Sequence, residues 1–251
     1  MNILITGASS GIGKEMSKIL APRANKIVIV ARNEQRLNEL KDELLKINDK
    51  LEVKVVIKDV SIKENCIDLF NDNKDIDLLI NNAGFGDLGE FTATSLEKEE
   101  LMINTNVVAY HILTKLYLQE MEKKNEGHIL NVASIAGFMP GPLMATYYAT
   151  KSYVVRLSEA IRIELKKKKS KVKISILCPG PVSTGFEKAA NISFNFHGTD
   201  CHYVANYAIK HLKRFYIIPR FLVKVGRFFI KLLPSMWVGK MIYHFQSGRN
   251  K

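Results

Sequence analysis

The chain has 251 residues, long for one domain but within the range of a single α/β unit, and its 47% apolar and 25% charged content is ordinary for a folded globular protein. That composition excludes a disordered chain, and the three cysteines, Cys66, Cys178 and Cys201, lie far apart without metal-ligand spacing, which predicts free thiols, no disulfide and no metal site. The net charge of +12 is uneven: from Cys201 onward there are ten Lys and Arg and no Asp or Glu, against 27 basic and 25 acidic residues before it. A partner for the excess charge is therefore sought at the carboxyl end.

Asn2-Ile3-Leu4-Ile5 has neither the basic leader nor the long apolar core of a signal peptide, which predicts a cytoplasmic protein. Ile3–Ile5 reads as a strand buried on both faces; after it come Gly7, Gly11 and Gly13, then a helix with Met16, Ile19 and Leu20 on one side. Strand, glycine turn and helix N-terminus form a cradle for a pyrophosphate, although the spacing is G-x-x-x-G-x-G and not G-x-G-x-x-G. The second strand, Lys26–Ala31, ends in Arg32 with no acid at its tip, which favours NADP over NAD, and Ser9 adds a hydroxyl for the phosphate. A helix over 36–47 leads to a strand over 51–57 that closes in Asp59-Val60-Ser61. Asp59 is placed either to take a hydrogen bond from an adenine amino group or to cap the next helix.

A helix over 64–71 and a strand over 76–80 end in Asn81-Asn82-Ala83-Gly84, small enough to leave room beside a cofactor. Helical periodicity over 96–123 contains the polar Asn106, and the fifth strand, 127–133, puts Ser134 at its carboxyl end. Tyr147 and Lys151 are four apart on the next helix and share a face; an ammonium beside a phenol is expected to lower its pKa toward useful proton transfer. That helix runs to about 165, and the sixth strand, 172–177, leads into Pro179-Gly180-Pro181-Val182-Ser183-Thr184. Alternating strands and helices predict a Rossmann-like doubly wound parallel sheet in three α/β/α layers, one domain over 1–251, with 212–251 as a basic amphipathic extension.

Thr6–Gly13, Asn81–Gly84, Ser134, Tyr147/Lys151 and Pro179–Thr184 together resemble the short-chain dehydrogenase/reductase superfamily over about residues 1–207. The resemblance implies Tyr147 as catalytic acid/base, Lys151 as the group that lowers its pKa and holds the nicotinamide ribose, Ser134 orienting the substrate carbonyl, and Asn106 holding a water that links Lys151 to solvent. It places cofactor contacts at Gly7, Ser9, Ser10, Gly11, Ile12, Gly13, Arg32, Asp59, Val60, Asn82, Ala83, Gly84, Pro179, Gly180, Val182 and Thr184, besides Tyr147 and Lys151. Ala109 stands where relatives commonly carry glycine. Dimers or tetramers are typical of such proteins.

The expectation is an NADP(H)-dependent oxidoreductase of an apolar carbonyl or alcohol, a 3-oxoacyl thioester or other lipid-like ketone. The alternatives are a hydroxysteroid-type dehydrogenase or a non-catalytic NADP sensor at a membrane, the latter disfavoured by an intact Asn106, Ser134, Tyr147 and Lys151. Specificity is expected in Phe85–Phe91, Phe138–Met144 and Phe186–Thr199. At the carboxyl end Arg220, Lys224, Arg227 and Lys231 form one helical stripe among large apolar residues. That segment reads as a helix of roughly 20 Å, too short to cross a bilayer. It is either an interfacial helix on anionic lipid across 219–245 or a lid over the substrate or a second subunit, and the lack of acids favours lipid. Nucleic acid is disfavoured, since the cations alternate with aliphatics.

Overall fold

The computed structural model describes residues 1–183, 198–230 and 232–248. Thr184, most of the Phe186–Thr199 loop and Lys231 lie outside the described residues, so their expected roles are not placed.

The body is built on strands β1 (Asn2–Thr6), β2 (Lys26–Ala31), β3 (Glu52–Ile57), β4 (Leu78–Asn81), β5 (His128–Val132) and β6 (Lys173–Leu177). Between them run α1 (Gly11–Leu20), α2 (Glu34–Ile47), α3 (Lys63–Asn71), α4 (Leu96–Ile103), α5 (Ala109–Lys124) and α6 (Ala145–Lys167). Past β6 come a short pair, β7 (Val182–Ser183) and β8 (Thr199–Asp200), then α7 (Cys201–Lys210), β9 (Tyr216–Ile217), α8 (Phe221–Ile230) and α9 (Ser235–Ser247). The predicted element bounds shift by a residue or two, as at β4, which starts at Leu78 and not Ile76.

Among the described residues the main sheet has seven strands in the order β3-β2-β1-β4-β5-β6-β9, all parallel. Six were expected; β9 adds two residues beside Ile176 and Leu177 and is too short to carry a periodicity. Continuous aliphatic runs suit these strands because both faces are covered. Along β1, Leu4 faces a core with Leu69, Tyr110 and Val154, while Ile3 and Ile5 face a second core with Met16, Leu37 and Val204. The two cores lie on opposite faces of the sheet, which gives the three layers. The strand order reverses between β1 and β4, and that reversal opens a crevice beyond the carboxyl strand ends.

Candidate active site

At the end of β1 the chain enters the left-handed region at Gly7, φ +65°, where a side chain would also strain against the backbone of Ala83, 2.8 Å from an added Cβ. Thr6 locks this approach: its hydroxyl accepts from the N–H groups of Asn82 (3.0 Å) and Ala83 (3.1 Å). The Asn82 amide in turn donates to the carbonyls of Thr6 (3.0 Å) and Gly7 (3.1 Å). A side chain at Gly13 would meet the Gly7 carbonyl oxygen at 2.5 Å, so α1 can close on the turn only with glycine there.

Ser10 caps α1 without a side-chain hydrogen bond, and no acid stands in its first turn, so its N-terminal amide groups stay available to an anion. Beside them a cavity of about 250 Å³ is lined by Ser9, Ser10, Gly11, Lys14, Arg36 and Glu39. These residues fit the phosphates of a dinucleotide. Arg36 and Lys14 were not singled out in the sequence; each sits one helical turn or so beyond a residue that was.

Arg32 follows β2 with two thirds of its side chain exposed, and its Nη1 stands 3.4 Å from Asp59 Oδ2. Asp59 therefore has a partner already. Burial pushes its carboxyl up, but hydrogen bonds from Ser61 and the Arg32 charge outweigh this and hold it below the ordinary value. The backbone N–H of Ser61 donates to Asp59 Oδ1 at 2.9 Å, which places Asp59 in the turn before α3.

Between α4 and α5 the expected long helix holds a π turn at Asn104–Val108, with polar and β-branched residues that favour regular helix poorly. Asn106 is fully buried there. Its amide donates to Phe85 O (2.9 Å) and Thr150 Oγ1 (3.1 Å), and its Oδ1 accepts from Phe85 N (3.1 Å). Thr150 donates onward to the carbonyl of Tyr147 at 2.7 Å, so Asn106 ties the loop after β4 to the first turn of α6. Gly84 passes so close that an added Cβ would lie 2.8 Å from Asn106 Oδ1 and 3.3 Å from Lys151 Nζ.

Lys151, 4% exposed, donates to Val132 O at 3.1 Å and stands 5.4 Å from the Tyr110 ring and 5.9 Å from the Tyr147 ring. Burial pulls its pKa down to about 8. Ser134 caps the 3₁₀ turn 135–138, its Oγ accepting from Ala136 N at 3.1 Å, and it hydrogen-bonds Tyr147. The structure thus brings Asn106, Ser134, Tyr147 and Lys151 together at the carboxyl ends of β4 and β5. Burial drives the Tyr147 phenol above its ordinary value, with the Ser134 hydrogen bond pulling the other way.

A family model described as short chain dehydrogenase matches residues 1–193. The very-long-chain 3-oxoacyl-CoA reductase of Anas platyrhynchos is 30% identical over 203 residues, 76% of this chain and 63% of that protein. A short-chain dehydrogenase from Sphingobium yanoikuyae in complex with NADPH superposes with a TM-score of 0.82 at 27% identity, over 88% of each chain. One from Burkholderia phymatum in complex with NAD does so at 0.78 and 25%, over 90% of each. By its glycine turn, its sheet order and this match, the chain belongs to the short-chain dehydrogenase/reductase family and is an oxidoreductase.

Proposed function

We propose that the chain reduces an apolar carbonyl compound, a 3-oxoacyl thioester or a similar lipid-like ketone, with NADPH. The observation that carries this reading is the convergence of Ser134, hydrogen-bonded to Tyr147, with Lys151, whose Nζ lies 5.9 Å from the Tyr147 ring and beside Gly84. A bound nicotinamide supplies the hydride taken by the carbonyl carbon. Tyr147 gives its proton to the carbonyl oxygen, Ser134 donates a hydrogen bond to the same oxygen, and the Lys151 ammonium steadies the phenolate left behind. Hydride and proton together make the secondary alcohol. Asn106, its amide spent on Phe85 and Thr150, is a positioning residue.

Support for NADP comes from Arg32 at the tip of β2, held only by an exposed pair with Asp59, which a 2′-phosphate would outcompete. Gly7 through Gly13, with Ile12, hold the pyrophosphate; Val60, Asn82, Ala83, Pro179, Gly180 and Val182 line the remainder of the cofactor. Support for an apolar substrate comes from Met144, buried against Leu88, Tyr147 and Tyr148, and from the 3-oxoacyl relative. The test is consumption of NADPH, with NADH in parallel, against 3-oxoacyl thioesters of rising chain length, ketosteroids and small diketones. NADPH turnover that rises with chain length supports the reading. A preference for NADH overturns the role given to Arg32, and tight NADPH binding without turnover of any carbonyl overturns the reductase.

A further inference from the structure

The helix α8 is built inside out. Of the cations in the stripe, Lys224 donates to Tyr207 OH at 3.0 Å, and Arg227 lies over the rings of Phe138 (4.3 Å) and Tyr216 (3.7 Å), so both face the protein. The apolar residues take the outer side: Phe221, Leu222, Phe228 and Phe229 are each more than half exposed, and so are Trp237 and Met241 on α9. Beside it α9 buries Val238 and Gln246, and the Gln246 amide donates to Tyr148 OH at 2.9 Å. So α9 is tied to the turn that carries Tyr147 and α8 to Tyr207, Phe138 and Tyr216, and both turn apolar side chains away from the protein. Clusters of exposed large apolar residues mark interaction surfaces.

We propose that this outer face docks on an anionic lipid surface. Three observations choose lipid over a second copy of the chain. Lys213, Arg214, Arg220 and Lys240 are exposed in this segment, and no acid follows Asp200 in the sequence. A second copy meeting this face through its own equivalent would bring the same cations and no acid to pair with them. Lys240 stands three residues after Trp237, so its stem can lie along the apolar face while its ammonium reaches headgroups. Trp237 and Tyr243 suit the boundary between acyl chains and water. At about 15 Å and about 20 Å, α8 and α9 are too short to cross a bilayer and would lie in its surface. Among the described residues no helix is long and apolar enough to cross.

Trp237 is the only tryptophan, so the full-length protein reports on this face without labelling. Its emission is read during titration with vesicles of phosphatidylcholine alone and with added phosphatidylglycerol. Expected are a shift to shorter wavelength, quenching by brominated acyl chains, and partition about tenfold stronger onto the anionic vesicles that weakens with salt. The variant Phe228→Ser/Phe229→Ser, which changes only exposed residues, is expected to lose about tenfold or more in partition while its melting temperature and NADPH affinity hold. Emission unmoved by vesicles overturns the proposal. So does emission that is already short-wavelength and changes with protein concentration, which would mean that a second copy covers the face. Equal partition onto zwitterionic vesicles overturns the anionic requirement. None of these readouts needs turnover, so the proposal stands or falls apart from the reductase reading.

Discussion

Two cations, the buried Lys151 at the sheet ends and the half-buried Arg227 on α8, sit against aromatic rings and do different work. Lys151 has a hydrogen bond to Val132 O and the Tyr110 ring 5.4 Å away, and its burial brings its proton within reach of neutral pH. Arg227 lies between Phe138 and Tyr216, with its Nε unpartnered among the described residues. The planar guanidinium stacks on ring faces, and here it forms a fixed clasp between α8 and the rings of Phe138 and Tyr216. The buried lysine suits chemistry; the arginine laid on ring faces suits attachment. The same contrast holds between the regions, since the sheet body hides its aliphatics and the carboxyl-terminal helices display theirs.

The comparison breaks first at Tyr147. If the site end is chemical, Tyr147→Phe lowers kcat by about 100-fold to 10,000-fold and leaves NADPH affinity, measured by fluorescence titration, within about twofold. A retained rate would move the proton donor elsewhere. Next in size is Arg32→Ser, which frees Asp59 and removes the cation at the β2 tip. It is expected to cost about 10-fold to 100-fold in kcat/KM for NADPH, with NADH unchanged. The pH dependence sharpens the role of Lys151. With Tyr147 held protonated, kcat/KM for reduction is expected to stay level up to pH about 8 and then fall about tenfold per unit as Lys151 loses its charge. A profile level through pH 10 would show that the ammonium is not needed.

The layered fold was legible because β1 to β6 are aliphatic runs and the helices between them keep their 3.6-residue period. Three of the site residues were legible from spacing, Ser134 at a strand end and Tyr147 and Lys151 one helical turn apart, whereas Asn106, inside a helical run, stood out only through the family resemblance. What stayed hidden depends on contacts between distant segments. The pairing of Arg32 with Asp59 spans 27 residues, and β9 has only two residues to announce it. The shift of the Tyr147 phenol comes first from its burial, which spacing does not fix. The orientation of α8 was hidden for a related reason. A periodicity identifies the cationic stripe but does not say which side meets the protein, and the usual assumption that charge faces water failed because Tyr207, Phe138 and Tyr216 offer ring faces and a hydroxyl to the cations.

That inversion makes the smallest prediction. In an ordinary surface helix, replacing an arginine changes little and replacing a phenylalanine costs several kcal/mol. On α8 the order is expected to reverse. Arg227→Ala removes two cation–π contacts at a half-buried position and is expected to cost about 1 to 2 kcal/mol. Phe228→Ser, on the exposed side, should stay within about 0.5 kcal/mol. Denaturant unfolding of the two variants in lipid-free buffer measures both. Because Arg227 also holds the helix against Phe138, which follows Ser134 in the same 3₁₀ turn, Arg227→Ala should raise hydrogen exchange in 135–138 as well as in α8. Protection lost only in α8 would show that the clasp ends at the helix and does not reach the turn beside the site.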